Sequence, residues 1–210
     1  MRELNIDTWE RKDHFNFFKN FDDPFFSLVF NVDCTLARKY SKENNISFFL
    51  CYLYLALKAA NEIKNFRYRL HENKVVIHDK INASPTINRP DSTFGFSYIF
   101  YEENFKLFLE KAEAEIKRVQ NSTGLEPATN NENVIHFSTI PWISFTGLTH
   151  ARHFAYKDSI PKISFGKTFT EDKKLMMPVS VTVNHALVDG YHVGQFYGHF
   201  QQLLNDFAGK

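Results

Sequence analysis

His185 is the residue of this chain best placed to do chemistry, and the stretch around it says why. Val179, Val181 and Val183 alternate with Ser180, Thr182 and Asn184, the pattern of a strand with one apolar and one polar face. His185 keeps step with the valines, so its ring is expected on the buried side just where the strand ends. Asp189-Gly190 then reads as a turn. Beyond it Val193, Phe196, Tyr197, Phe200, Leu203, Leu204 and Phe207 recur at helical spacing. A titratable imidazole held at a strand end, with a carboxylate four residues on, suits a general base. The same pattern also suits a histidine satisfied within a core, and the rest of the chain has to separate the two. His192 and His199 fall on the following helix, where surface or packing roles are expected. Two imidazoles and Asp189 spread across a strand end and a turn, with no third strong ligand, give no metal site.

The elements that would carry this stretch can be read in order. Residues 8–21 suit a short amphipathic helix with Thr8 as a possible N-cap and Arg11 on its polar side. Residues 25–33 read as a strand. Ser47 could cap a largely apolar helix running from Phe48 to about Ile63. Residues 66–70 and 75–78 resemble two strands of a hairpin, and residues 94–100 a further strand. Residues 102–120 form an amphipathic helix, acidic at its start and basic at its end, closed by Asn121-Ser122-Thr123-Gly124. Residues 125–133 are a polar loop. Strands are expected at 134–138, 142–146, 162–165 and 177–184. Strands outnumber helices without alternating with them, so the expected fold is α+β, a two-layer α/β sandwich with a mixed β-sheet flanked by helices.

Composition sets the bounds. The chain has 210 residues, 43% of them hydrophobic and 16% aromatic, with 23 phenylalanines. That suits a single domain over 1–210 with a sizeable core. Such an excess of phenylalanine also suits an aromatic-walled ligand site. A net charge of +1 argues against nucleic acid as a partner. Cys34 and Cys51 lack metal-like spacing and read as free core thiols in a reducing compartment. No apolar run reaches membrane-spanning length and no leader is visible, so no membrane partner and a cytoplasmic location are expected.

Several motifs together go further. Trp9-Glu-Arg11-Lys-Asp-His14-Phe15, Asn65-Phe66-Arg67, Ser138-Thr-Ile-Pro141-Trp142-Ile-Ser144-Phe145-Thr146, Gly166-Lys167 and Asn184-His185-Ala-Leu-Val-Asp189-Gly190 span nearly the whole length. With these the chain resembles the classical trimeric chloramphenicol acetyltransferase family. The His-x-x-x-Asp-Gly element is shared with other CoA-dependent acyltransferases, including the catalytic cores of 2-oxoacid dehydrogenase complexes; the Ser138-to-Trp142 segment is more particular. The resemblance implies a CoA-dependent acyltransferase fold and transfer of acetyl from acetyl-CoA to a hydroxyl, with His185 as general base and no acyl-enzyme. It implies that Ser138 donates a hydrogen bond to the oxygen of the intermediate. Ser164, a Thr in many relatives, would help order water there. It implies that Asp189 pairs with Arg11 to brace the site instead of serving His185 as a triad carboxylate. Many relatives carry His-His where this chain has Asn184-His185, and the second histidine is the catalytic one. The resemblance also implies a homotrimer with sites between subunits.

In that family the acceptor pocket is aromatic, and Phe17, Phe18 and Phe26 fall at its positions. His136, His150 and Arg152 depart from it, standing where relatives tend to be apolar. Imidazoles and a guanidinium against an apolar acceptor cost desolvation unless partnered. Either these side chains turn away, or the acceptor is more polar than chloramphenicol. Lys167 could meet the CoA phosphates. Two further readings stay open: an acyltransferase core of a multienzyme complex, disfavoured because no lipoyl domain or Pro/Ala-rich linker is seen, and a binding protein on the same fold that has lost catalysis.

Overall fold

The computed structural model describes residues 1–71, 74–125, 132–154 and 158–207. In chain order the elements are β1 (Arg2–Glu3), α1 (Lys12–Phe18), β2 (Phe25–Asp33), α2 (Thr35–Glu43), α3 (Phe48–Glu62), β3 (Tyr68–His71), β4 (Lys74–Ile77), β5 (Asn82–Asn88), β6 (Phe94–Phe96), α4 (Phe105–Gln120), β7 (Val134–Ile140), β8 (Lys162–Gly166), β9 (Phe169–Glu171), β10 (Lys174–Asn184) and α5 (Gly190–Asn205). The main sheet runs β2-β10-β8-β7-β5-β6, with β9 folded back on β10, and a small sheet runs β1-β4-β3. β10 is antiparallel to β2 and β8, whereas β7 is parallel to β5 and β8. The sheet is therefore mixed, and helices flank it, as expected.

One face of the sheet makes the core. Val179, Val181 and Val183 of β10, Ile163 and Phe165 of β8, and Ile135 and Phe137 of β7 are all buried. Phe165 meets Tyr52 of α3 and Phe200 of α5, at centroid distances of 4.6 and 6.2 Å. The amphipathic patterns of α2 to α5 supply the other half of this layer, because burying those apolar stripes is what stabilises the helices.

The opposite face is polar. Alternation turns His136 and Ser138, Lys162 and Ser164, and Ser180 and Thr182 away from the helices. Pairing lines them up in two rows: Ser138, Ser164 and Ser180, and beside them His136, Lys162 and Thr182. Ser27 of β2 continues the second row, its hydroxyl 2.7 Å from that of Thr182.

Several expected boundaries need correcting. The helix expected over 8–21 is α1 alone. Thr8 ends a short 3-10 turn, Ile6–Thr8, and the residue before α1 is Arg11, which makes no side-chain cap. Ser47 precedes α3 but likewise makes no capping bond. Residues 142–146 are not a strand: Trp142 is 68% exposed, and the segment crosses the sheet as irregular chain. Phe66 and Arg67 belong to a 3-10 turn ahead of the β3–β4 hairpin. Of residues 94–100 only Phe94–Phe96 form a strand. Residues 72–73 of the hairpin turn and 126–131 of the polar loop lie outside the described residues.

Candidate active site

His185 sits one residue past β10, half-buried. Its backbone N–H donates to the Pro24 carbonyl at 2.7 Å, which ties it to the start of β2. The ring lies flat on Phe18, with centroids 4.0 Å apart and planes 5° apart, and against Phe26 at 4.5 Å. Phe26 pairs with Val183, so His185 belongs to the helix side of the sheet, as its step with the valines predicts. Phe17 extends the aromatic cluster, 5.0 Å from Phe18, and is 65% exposed. Nδ1 of His185 is enclosed and has no hydrogen-bond partner among the described residues. The turn behind the ring is held at several points. The Asn65 amide donates to the Leu187 carbonyl at 3.0 Å, and the Asn184 side chain accepts from the Ala186 N–H at 3.0 Å. A flat, fixed imidazole with no carboxylate on it can take a proton without first breaking an ion pair.

Asp189 is turned elsewhere. Its carboxylate pairs with the enclosed Arg11 guanidinium, which also donates to the His185 carbonyl at 3.2 Å. Asp189 is also the N-cap of α5, accepting from the Tyr191 N–H at 3.0 Å. His192 completes a capping box, accepting the Asp189 N–H on Nδ1 at 3.1 Å. His192 is thus a capping residue, where surface or packing duty was expected, and burial lowers its pKa against the opposing pull of Asp189. Partial burial pushes the Asp189 carboxyl up, but His192, Arg11 and the two backbone donors outweigh it and hold the carboxyl below its ordinary value. His199 is exposed and lies 3.0 Å from Glu62.

Ser138 stands on the other side of the sheet. Its chain neighbours Phe137 and Thr139 face the helices, Thr139 meeting the Tyr52 hydroxyl at 3.2 Å, so Ser138 points to the polar face. Ser164 and Ser180, next to it across the strands, are fully buried with hydroxyls that find no partner among the described residues. Within one chain His185 and Ser138 therefore lie on opposite faces of one sheet. The five aromatic and imidazole residues expected to line an acceptor pocket divide the same way. Phe17, Phe18 and Phe26 gather at His185, whereas His136 lies beside Ser138 with His150 close to it.

A cavity of about 200 Å³ opens at His136, bounded also by Ala151, Arg152, His153, Asp158, Ile160 and Lys162. Asp158 pairs with Lys162, and Arg152 with Asp23. The Arg152 guanidinium also lies 4.0 Å over the Phe25 ring. Burial, reinforced by the Lys162 charge, lowers the pKa of His136 to about 4 and lowers that of His150 as well. A second cavity of about 290 Å³, lined by Lys19, Phe21, Pro24, Leu70 and Asn184 among others, shares Arg152 and Asp158 with the first. Asp158 and Lys162 were not singled out from sequence, although their i,i+4 spacing is a signal for a local ion pair. Among the described residues no three His, Cys, Asp or Glu side chains come together to hold a metal.

This geometry meets an independent comparison. A family model described as chloramphenicol acetyltransferase matches residues 1–201. The chain belongs to the chloramphenicol acetyltransferase family. It is an acyltransferase, and its similarity to individual members is moderate but complete in extent. It is 30% identical over 207 residues to the chloramphenicol acetyltransferase of Clostridium butyricum, covering 97% of this chain and 94% of the relative. Against that of Proteus mirabilis it is 28% identical over 204 residues, with the same coverage. A solved chloramphenicol acetyltransferase superposes with a TM-score of 0.90 at 31% identity, covering 97% of this chain and all of the other. Dihydrolipoamide acetyltransferase of Azotobacter vinelandii shares the fold, with a TM-score of 0.64 at 16% identity over 87% of this chain and 82% of its own. The fold is that of the CoA-dependent acyltransferases.

Proposed function

We propose that this protein transfers acetyl from acetyl-CoA to a hydroxyl of chloramphenicol or a related small molecule, as a cytoplasmic homotrimer with its sites between subunits. The observation that carries the reading is His185, clamped on Phe18 and Phe26 and, among the described residues, with no carboxylate bonded to it. In the proposed reaction its neutral ring takes the acceptor's hydroxyl proton as the oxygen bonds to the thioester carbon. Ser138 donates a hydrogen bond to the negative oxygen that develops on that carbon. When the carbon–sulfur bond breaks, the imidazolium returns the proton to the departing thiolate, leaving an acetyl ester and free CoA. Ser164, the next hydroxyl along the row from Ser138, is suited to hold a water near that oxygen. Arg11 and Asp189 brace the turn that carries His185. Lys167, exposed just past β8, is a cation available to the CoA phosphates.

The opposite-face arrangement supports shared sites. One chain offers His185 on the helix side and Ser138 on the polar side, so a reacting carbonyl can touch both only if a second copy supplies one of them. The test is thiol release from acetyl-CoA with chloramphenicol as acceptor. Losing the base in His185→Ala is expected to cost about 10²–10⁴ in turnover, and losing the donor in Ser138→Ala about 10²–10³. A His185→Ala protein that keeps turnover within tenfold of wild type would end the proposal.

A further inference from the structure

The backbone at His185 is pinned on both sides. Peptide groups are planar, so φ and ψ of a residue are fixed once the two groups flanking it are held. All four polar atoms of the groups flanking His185 are bonded. The His185 N–H donates to the Pro24 carbonyl at 2.7 Å, and the Asn184 carbonyl accepts from the Leu187 and Val188 N–H groups, each at 3.0 Å. The His185 carbonyl accepts from Arg11 at 3.2 Å, and the Ala186 N–H donates to Oδ1 of Asn184 at 3.0 Å. Only two side chains take part. Arg11 belongs to the brace with Asp189; the other is Asn184.

Asn184 is the last residue of β10, buried, and paired with Phe25. Its Oδ1 accepts from the N–H two residues on, the bond by which asparagine side chains close tight turns. Ala186 is fully buried, so solvent does not replace that oxygen. Without it the Ala186 N–H must turn toward another acceptor, and the His185 carbonyl, in the same plane, turns with it. Nδ2 makes only a long bond, 3.4 Å to the Asp158 carbonyl. The acceptor is therefore the half of the amide that the turn uses.

The ring itself is placed without a bond to its inner nitrogen, since Nδ1 has no partner among the described residues. Its plane is set by the stack on Phe18, with centroids 4.0 Å apart. A stack resists tilting more than sliding, so where the ring sits along Phe18 depends on where the backbone launches it.

We propose that Asn184 is a positioning residue for the base: by holding the His185–Ala186 peptide group, its side-chain oxygen sets the place of the His185 ring on Phe18. The inference rests on the reading of His185 as general base.

Turnover and ring position, read on the same variants, test it. Thiol release from acetyl-CoA with chloramphenicol gives kcat and KM. NMR of isotope-labelled histidine reads the ring-current shift that Phe18 imposes on His185, the signal being assigned by its loss in His185→Ala. Asn184→Ala removes the acceptor and is expected to lower kcat about 10–10²-fold, the scale of a displaced catalytic group. Its KM for acetyl-CoA is expected within about twofold of wild type, and its His185 signal is expected to lose the stacked shift. Asn184→Leu fills the space without an acceptor, is expected to behave the same way, and serves if Asn184→Ala does not fold. Asn184→Asp keeps the acceptor and loses the donor. Its negative charge raises the imidazole pKa, so its kcat is compared on the alkaline plateau, where it is expected within about threefold of wild type with the stacked shift intact. Wild-type kcat and shift in Asn184→Ala or Asn184→Leu, or Asn184→Asp as impaired on the plateau as Asn184→Ala, would overturn the inference. If wild type releases no thiol, yet the shift is lost in Asn184→Ala and kept in Asn184→Asp, the transfer reading fails and the positioning of the ring stands.

Discussion

Arg11 and Asp189 show how one carboxylate can serve three structural ends. It neutralises an enclosed guanidinium, caps α5, and through Arg11 steadies the carbonyl of His185. The two truncations should therefore differ. Arg11→Ala leaves Asp189 with its backbone donors and some solvent. Asp189→Ala strands a guanidinium whose side chain is only 8% exposed, and removes an N-cap worth about 1 kcal/mol. Because Asp189 still touches water, the ion-pair loss should fall below that of a fully buried pair, on the order of 1–3 kcal/mol. Thermal melts should show both variants below wild type, with Asp189→Ala the lower, and turnover with acetyl-CoA should fall in both. A wild-type midpoint and rate for Asp189→Ala would show that the brace contributes nothing. The partnership with Arg11 came from the motif's likeness to known acyltransferases, since nothing in local spacing joins residues 178 apart. The capping box escaped reading because its third helical position holds His192, where Glu or Gln is the usual signal.

Among the elements, β8 ends at a glycine for a steric reason. A Cβ on Gly166 would lie 2.6 Å from Pro178 Cγ and 3.0 Å from both the Ile143 carbonyl oxygen and the Phe145 ring. The segment after β7 can therefore rest on the polar face only because residue 166 has no side chain, and the Lys167 N–H fastens it with a 2.9 Å bond to the same Ile143 carbonyl. Gly166→Ala should cost about 1–3 kcal/mol through overpacking, read as a lower urea midpoint with an unchanged slope. A midpoint equal to wild type would mean that the segment is not pinned there. This close approach also explains the misread strand at 142–146. Trp142, Ile143, Phe145 and Thr146 are strand-favouring types and suggest a pleated run, yet here Phe145 packs on the sheet as cover and Trp142 and Ile143 face outward. β5 was missed for the opposite reason. Asn82, Ser84, Pro85 and Asn88 look like turn chemistry, but Pro85 gives no N–H to the ladder and instead accepts from the Ser97 backbone and hydroxyl at 3.2 and 2.6 Å. α2 also went unread; Asp33 starts it, accepting from both the N–H and the hydroxyl of Thr35. Where strand-favouring residues ran together, as the Phe and Val of Phe25–Asp33 do, the strand was legible to the residue.

At the scale of the whole molecule the sheet has two faces, and the proposed machinery is shared between them. The positions of Ser138 and His185 along the chain are visible in sequence. Their separation is not, because it depends on the pairing β10-β8-β7, a long-range property that one-dimensional alternation does not encode. If the sites lie between subunits of a trimer, each takes His185 from one copy and Ser138 from its neighbour. Two crippled proteins should then repair one another. A pure His185→Ala trimer has no base at any site, and a pure Ser138→Ala trimer no oxyanion donor. Equal amounts, denatured and refolded together, form sites at random, and a site is intact when its His comes from the Ser138→Ala chain and its Ser from the His185→Ala chain. That occurs at about one site in four for a closed ring of copies, so the mixture should recover roughly a quarter of wild-type turnover where each parent shows about a hundredth or less. Mixing the folded proteins without denaturation should recover little, which separates exchange of subunits from additive residual activity. A refolded mixture no more active than the mean of its parents would place both residues in one subunit's site and remove the argument for a shared one.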